Sequence, residues 1–123
     1  MEDTIKATLR RKRVLEAERN YLLQLHNDPD HIDLEPQIKR LKYLESQLQC
    51  INIWLSLLSD DEAFVISRHL IDGIDIPRIA IEYRERWGAE FGKTERTIKT
   101  YQRRAIQRIE NFETHKERIL HNV

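Results

Sequence analysis

Residues 58 to 83 read LSDDEAFVISRHLIDGIDIPRIAIEY, and the punctuation of this stretch decides the fold. Ser59 followed three residues later by Glu62 is a capping box: the hydroxyl can accept from the backbone of Glu62 while the carboxylate reaches back to the backbone of Ser59. A helix therefore starts at residue 60, and Asp60, Asp61 and Glu62 suit the positive end of its dipole. Phe64, Val65, Ile66, His69 and Leu70 carry it as far as Gly73, a residue able to take the left-handed conformation that closes helices. Asp75 then caps a second helix with Pro77 inside its first turn, and Ile76, Ile79, Ala80, Tyr83 and Trp87 mark one buried stripe. Two short helices, each with its own start and stop, predict an all-α fold.

The downstream stretch KTERTIKTYQRRAIQRI, residues 93 to 109, gathers six Lys/Arg against a single Glu. Thr94 is its expected cap, and Ile98, Tyr101, Ala105 and Ile109, with Ile106 at the edge, form the buried stripe. At about 100° per residue, Arg96, Lys99, Thr100, Arg103 and Gln107 fall on the opposite side. A helix so divided can dock on a small core while offering side chains to base edges and phosphates in a major groove. Ordinary solvated faces mix both signs of charge; this one does not. The connection before it, ERWGAEFGK, is longer than the turn of a standard helix-turn-helix, and Trp87 and Phe91 are expected to pack it onto the core. Beyond Phe112 the tail either extends the helix or frays.

Upstream, Ile5, Leu9, Val14, Leu15, Tyr21, Leu22 and Leu25 predict one helix over residues 4 to 26, with Asp3 and Thr4 as candidate caps. NDPDHIDLEP, residues 27 to 36, collects turn residues and two prolines, so the chain doubles back there. From about Asp33 a further helix carries Leu41, Leu44, Leu48, Ile51, Leu55 and Leu58 at alternating spacings of three and four, a coiled-coil-like seam. Two uses of that seam stay open: an antiparallel hairpin with the first helix, or an oligomerisation surface built from Leu41, Leu44, Leu48, Ile51 and Leu55. The organisation expected is a hairpin or coiled coil over 1–58, a three-helix helix-turn-helix domain over 59–112, and a tail over 113–123.

The chain has 123 residues and 21 Lys/Arg balanced by 21 Asp/Glu, so its basic surface is a matter of distribution rather than of net charge. The start MEDTIK lacks the pattern of a signal peptide, and no apolar run is long enough to span a membrane, so a cytoplasmic protein with no membrane partner is expected. Cys50 is the lone cysteine, read as a buried reduced thiol. The carboxylates of DPDHIDLE fail as a calcium loop, with Ile32 and Asp33 where a ligand and a glycine are required. The histidines share no zinc spacing, so neither metal nor cofactor is expected. No phosphate-cradling loop or nucleophile elbow appears, and the chain does not read as an enzyme. RRKR at 10 to 13 reads as a solvated face, with contact to DNA or an anionic protein as the alternative.

The helix start Leu-Ser-x-x-Glu, the Asp-Gly break, the Ile-Ala of the supporting helix, and then Thr-x-x-Thr-Ile and Arg-Ala resemble, in order and spacing, region 4 of bacterial sigma factors over residues 58 to 112. A helical N-terminal half ahead of such a module is similar to phage late transcriptional regulators of the ArpU and RinA type. The resemblance implies a DNA-binding regulator that reads bases with Glu95, Arg96, Lys99, Thr100 and Arg103. Glu95, which the resemblance adds, could accept from a cytosine amino group. Lys93, Thr94, Arg104 and Arg108 flank that face and are expected on phosphates. The partners implied are double-stranded DNA, RNA polymerase, and further copies of the chain as a homodimer or larger oligomer. An adaptor that contacts polymerase and a small-terminase-like packaging subunit are the alternative functions.

Overall fold

The computed structural model describes residues 1–91 and 94–121, and these form six α-helices with no strand. They are α1 (Glu2–Arg10), α2 (Lys12–His26), α3 (Glu35–Ser56), α4 (Asp60–Ile66), α5 (Ile76–Trp87) and α6 (Glu95–His121). The all-α expectation holds. One π-helical turn, Ser67–Ile71, continues α4, and a short 3-10 turn, Ala89–Phe91, follows α5.

The single helix expected over 4–26 is instead two, separated at Arg11, and it starts from Met1 rather than from a cap at Asp3 or Thr4. The reason lies in the apolar phase. Leu9 and Leu15 are six residues apart, so one straight helix would aim them about 120° away from each other. At Arg11 the amide bonds back only three residues, to the carbonyl of Thr8, and the change of direction lets both leucines reach the core, at 0% and 1% exposure. Beyond the break α2 packs along α3. The connection between them is held by its own polar groups: Asp28 accepts from the amide of Asp30, Asp33 bonds the ring of His26, and the ring of His31 bonds Gln37. The carboxylates of Asp28 and Asp33 are engaged there.

The punctuation read between 58 and 83 is realised except at Asp75, which stands at the N-cap of α5 without a side-chain capping bond. The amide of Ser59 donates to Glu62 Oε1 at 3.0 Å, and the amide of Glu62 donates to Ser59 Oγ at 3.3 Å. Gly73 has a φ of +74°, and the amide of Ile74 closes the helix end on the carbonyl of Arg68. Pro77 stands in the first turn of α5, where its missing amide hydrogen costs no helical bond. Of the two readings of the tail, the helical one describes it as far as His121, where α6 ends.

Two apolar clusters hold these helices together. The larger draws Ile5, Leu9, Leu15, Leu44, Leu48, Ile51, Trp54, Ile66, Leu70, Ala105, Ile106 and Ile109 from both ends of the chain. The smaller joins Val65, Ile79, Tyr83 and Ile98. Neighbouring Val65 and Ile66 project from different sides of α4 and enter different clusters, and α6 likewise serves one cluster with Ile98 and the other with Ala105 and Ile109. The boundary expected at residue 58 is therefore crossed by a continuous core.

That core also corrects the oligomerisation surface. Leu44, Leu48 and Ile51 are 0–3% exposed inside a single chain. Leu55 packs against the same cluster, and Leu41 is half-buried. The seam is consumed by α1, α2 and α6, because one 3–4 stripe has room for one set of partners. The apolar side chains that α3 leaves outside are Ile38, Tyr43 and Ile53, with Leu57 following at its C-cap.

Candidate nucleic-acid interface

The face of interest is set by how α6 is anchored. Thr94 caps it, with its hydroxyl accepting from the amide of Thr97 at 3.3 Å. Ile98 is then fixed among Val65, Ile79 and Tyr83, while Tyr101 stacks on Tyr83 with ring centroids 6.2 Å apart. Tyr83 also stacks on Trp87 at 4.3 Å and donates its hydroxyl to Asp61 at 2.9 Å. Burial, reinforced by that bond to Asp61, pushes the phenol well above its ordinary range, so it stays a donor. Trp87 thus anchors the start of the long connection, as expected; the side chain of Phe91 lies outside the description.

With that stripe held down, the opposite side of α6 is open. Glu95, Arg96, Lys99, Arg103, Arg104 and Gln107 are exposed, and Thr100 is half-exposed with its hydroxyl donating to the carbonyl of Arg96. Gln107 bonds Asn111 along the same surface at 3.0 Å. The sequence-predicted base-reading residues therefore occur together on one solvent-facing surface. Of those expected on phosphates, Thr94 and Arg104 are exposed beside it, and Lys93 lies outside the described residues.

Arg108 has another engagement. Its Nε donates to the carboxylate of Glu62 at 3.0 Å, and Glu62 is 3% exposed. Burial opposes ionisation of that carboxyl, but hydrogen bonds from Ser59 and Arg108 outweigh it and hold the group below its usual range. The same carboxylate therefore caps α4 and ties it to α6, 46 residues away in sequence. No local pattern could have found this pair.

The cations differ in whether a carboxylate neutralises them, and Arg19, Lys42, Arg78, Arg84, Arg86 and Arg118 share with the early face of α6 the lack of one among the described residues. Lys6, Lys12, Arg13, Lys39, Arg40, Arg68, Arg108 and Lys116 each have a carboxylate within salt-bridge distance. Arg96, Lys99, Arg103 and Arg104 have none among the described residues. Cations that share a carboxylate are partly neutralised; these four present their full charge to solvent. The RRKR stretch divides in the same way, with Lys12 and Arg13 paired to Glu16 and Asp72 while Arg10 and Arg11 are exposed and unpaired among the described residues.

Elsewhere the chemistry is quiet. Cys50 is half-buried against Phe112, Glu113 and Lys116 in a depression of about 150 Å³, and burial with the nearby Glu113 carboxylate raises its thiol above the ordinary value. Among the described residues no three metal-ligating side chains gather, and no helix is long and apolar enough to cross a membrane. No protein-family model matches the chain, and no curated protein or solved structure is significantly similar to it.

Proposed function

We propose that the protein is a sequence-specific DNA-binding transcription regulator in which α5 and α6 act as a helix-turn-helix of the sigma region 4 kind. The observation that carries this reading is the exposed face of α6, where Arg96, Lys99, Arg103 and Arg104 are unpaired among the described residues and Glu95 at the helix start is the one acid beside them. Glu95, Arg96, Lys99, Thr100 and Arg103 read base edges from the first three turns, and Thr94, Lys93 and Arg104 hold phosphates beside them. Arg108 keeps only what its guanidinium has left after binding Glu62. The order of the helix starts and stops over residues 58 to 112 adds the likeness to sigma region 4, and with a helical N-terminal half it adds a likeness to phage late-gene activators.

Self-association belongs to this reading as well, since such regulators reach paired half-sites as dimers. With the leucine seam used internally, the outer side of α3 at Ile38, Tyr43 and Ile53 is an exposed apolar surface open to it.

A mobility-shift titration on a duplex chosen by in-vitro selection tests the groove assignment. Arg96→Ala and Lys99→Ala each weaken binding by about 1–3 kcal/mol and relax preference at one base position. Unchanged affinity and preference in both variants would refute it. A shallow response of affinity to salt would instead favour the adaptor that contacts RNA polymerase, since phosphate contacts make log affinity fall steeply with log salt.

A further inference from the structure

The basic end of α1 has no part in the reading above, and its position gives it one. Met1, Thr4 and Ile5 border a depression with Glu113 and Glu117 near the end of α6, whereas Leu9 is buried in the cluster that holds Ala105, Ile106 and Ile109. As α1 advances it meets earlier and earlier residues of α6, so the two helices run antiparallel. Lys99, Ile106 and Glu113 recur every seven residues and so share one strip of α6. α1 lies along that strip from Glu113 to Ile106, and its next residues are Arg10 and Arg11. Continued past Ile106, the same line leads toward the Lys99 and Arg103 end of α6. The junction is tied to the end of the π-helical turn, because Arg13 Nη2 donates to Asp72 Oδ1 at 2.6 Å. Arg104 stands on the opposite flank of the exposed face, about 140° around the helix from Lys99.

We infer that Arg10 and Arg11 form a second phosphate clamp, gripping the duplex backbone on the Lys99 flank while Arg104 grips the other. The inference rests on the DNA-binding reading and adds that the N-terminal half of the chain contacts DNA. Both arginines are exposed and have no carboxylate within salt-bridge distance among the described residues. Such a clamp carries no sequence information; it sets register and adds salt-dependent affinity.

The test is binding of the full chain to a mixed-sequence duplex across a salt series, with helicity and melting temperature checked for every variant. Arg10→Gln with Arg11→Gln lowers the magnitude of the log–log salt slope by about 2, since each lost phosphate contact releases roughly one counterion fewer. Charge reversal to Glu at both positions weakens binding further, and preference among base sequences does not change. Lys42→Gln, which removes an exposed charge from α3, leaves the slope where it was. A slope untouched in the double Gln variant, or lowered equally per charge by Lys42→Gln, overturns the clamp. In the first case a loss of binding in Arg96→Ala leaves the DNA-binding reading standing. A wild-type chain with no salt-dependent affinity for duplex overturns both.

Discussion

α3 and α6 are the two long helices of the molecule, and both combine a buried apolar stripe with exposed positive charge. They differ in what the charge is doing. On α3, Lys39 pairs with Glu35 on its own helix, Arg40 bonds Glu18 of α2 through two nitrogens and so helps join the hairpin, and Lys42 is left exposed. On the first turns of α6 the neighbouring positions hold Arg, Lys, Thr and Gln, and Arg96, Lys99, Arg103 and Arg104 find no carboxylate among the described residues. The lesson is that a count of basic residues does not identify a binding face; the distribution of acids around them does.

The stripes differ as well. That of α3 is spent on α1, α2 and α6, and substitution there should act on folding. Leu44→Ala empties a fully buried position and should cost about 2–5 kcal/mol of stability in denaturant unfolding. Loss of a dimer with the monomer still folded would break the comparison by showing that the seam joins two chains. A smaller effect, in the opposite compartment, is expected from Arg103→Ala: about 1–3 kcal/mol of duplex affinity, with an unchanged melting temperature.

Glu62 links the two behaviours, because it holds the one arginine of α6 that is paired among the described residues. Glu62→Ala should destabilise the fold by about 1–2 kcal/mol, from the lost cap and an orphaned Arg108. The carboxyl is held below its ordinary range in the folded state. Its contribution is therefore fully present above the unfolded value of about 4.3 and disappears as pH falls through the lower folded value. Thermal melts from neutral to acid pH should show that loss in the wild type and a smaller one in Glu62→Gln. Equal slopes would remove Glu62 from the account. The smallest effect is on the outside of α3: Ile53→Glu should leave stability nearly unchanged and, if the outer side joins copies, shift the sedimentation mass to that of a monomer. A mass that is oligomeric in both proteins would send the search to another surface.

Much of this molecule could be read residue by residue. The capping box at Ser59 and Glu62, the closure at Gly73, the cap at Thr94 and the buried stripes of α5 and α6 were all legible, because each depends on hydrogen bonds or helical phase within a few residues. The exposed side of α6 followed from the same periodicity. What the sequence could say of α3 was that one side would be covered, since an amphipathic stripe specifies burial without naming the partner.

Tertiary structure decided the rest, and in each case the reason is separation along the chain. The break at Arg11 exists because Leu9 and Leu15 must enter the core from different directions. Arg108 is committed to Glu62, Trp54 donates to Glu113, and Arg13 is fixed to Asp72 across 46, 59 and 59 residues, distances over which local propensity carries no information. The amino-acid sequence by itself determined where helices begin and end and which side of α6 is charged. Which of those charges remain unneutralised was settled only when folding brought distant acids to some of them and left the others facing water.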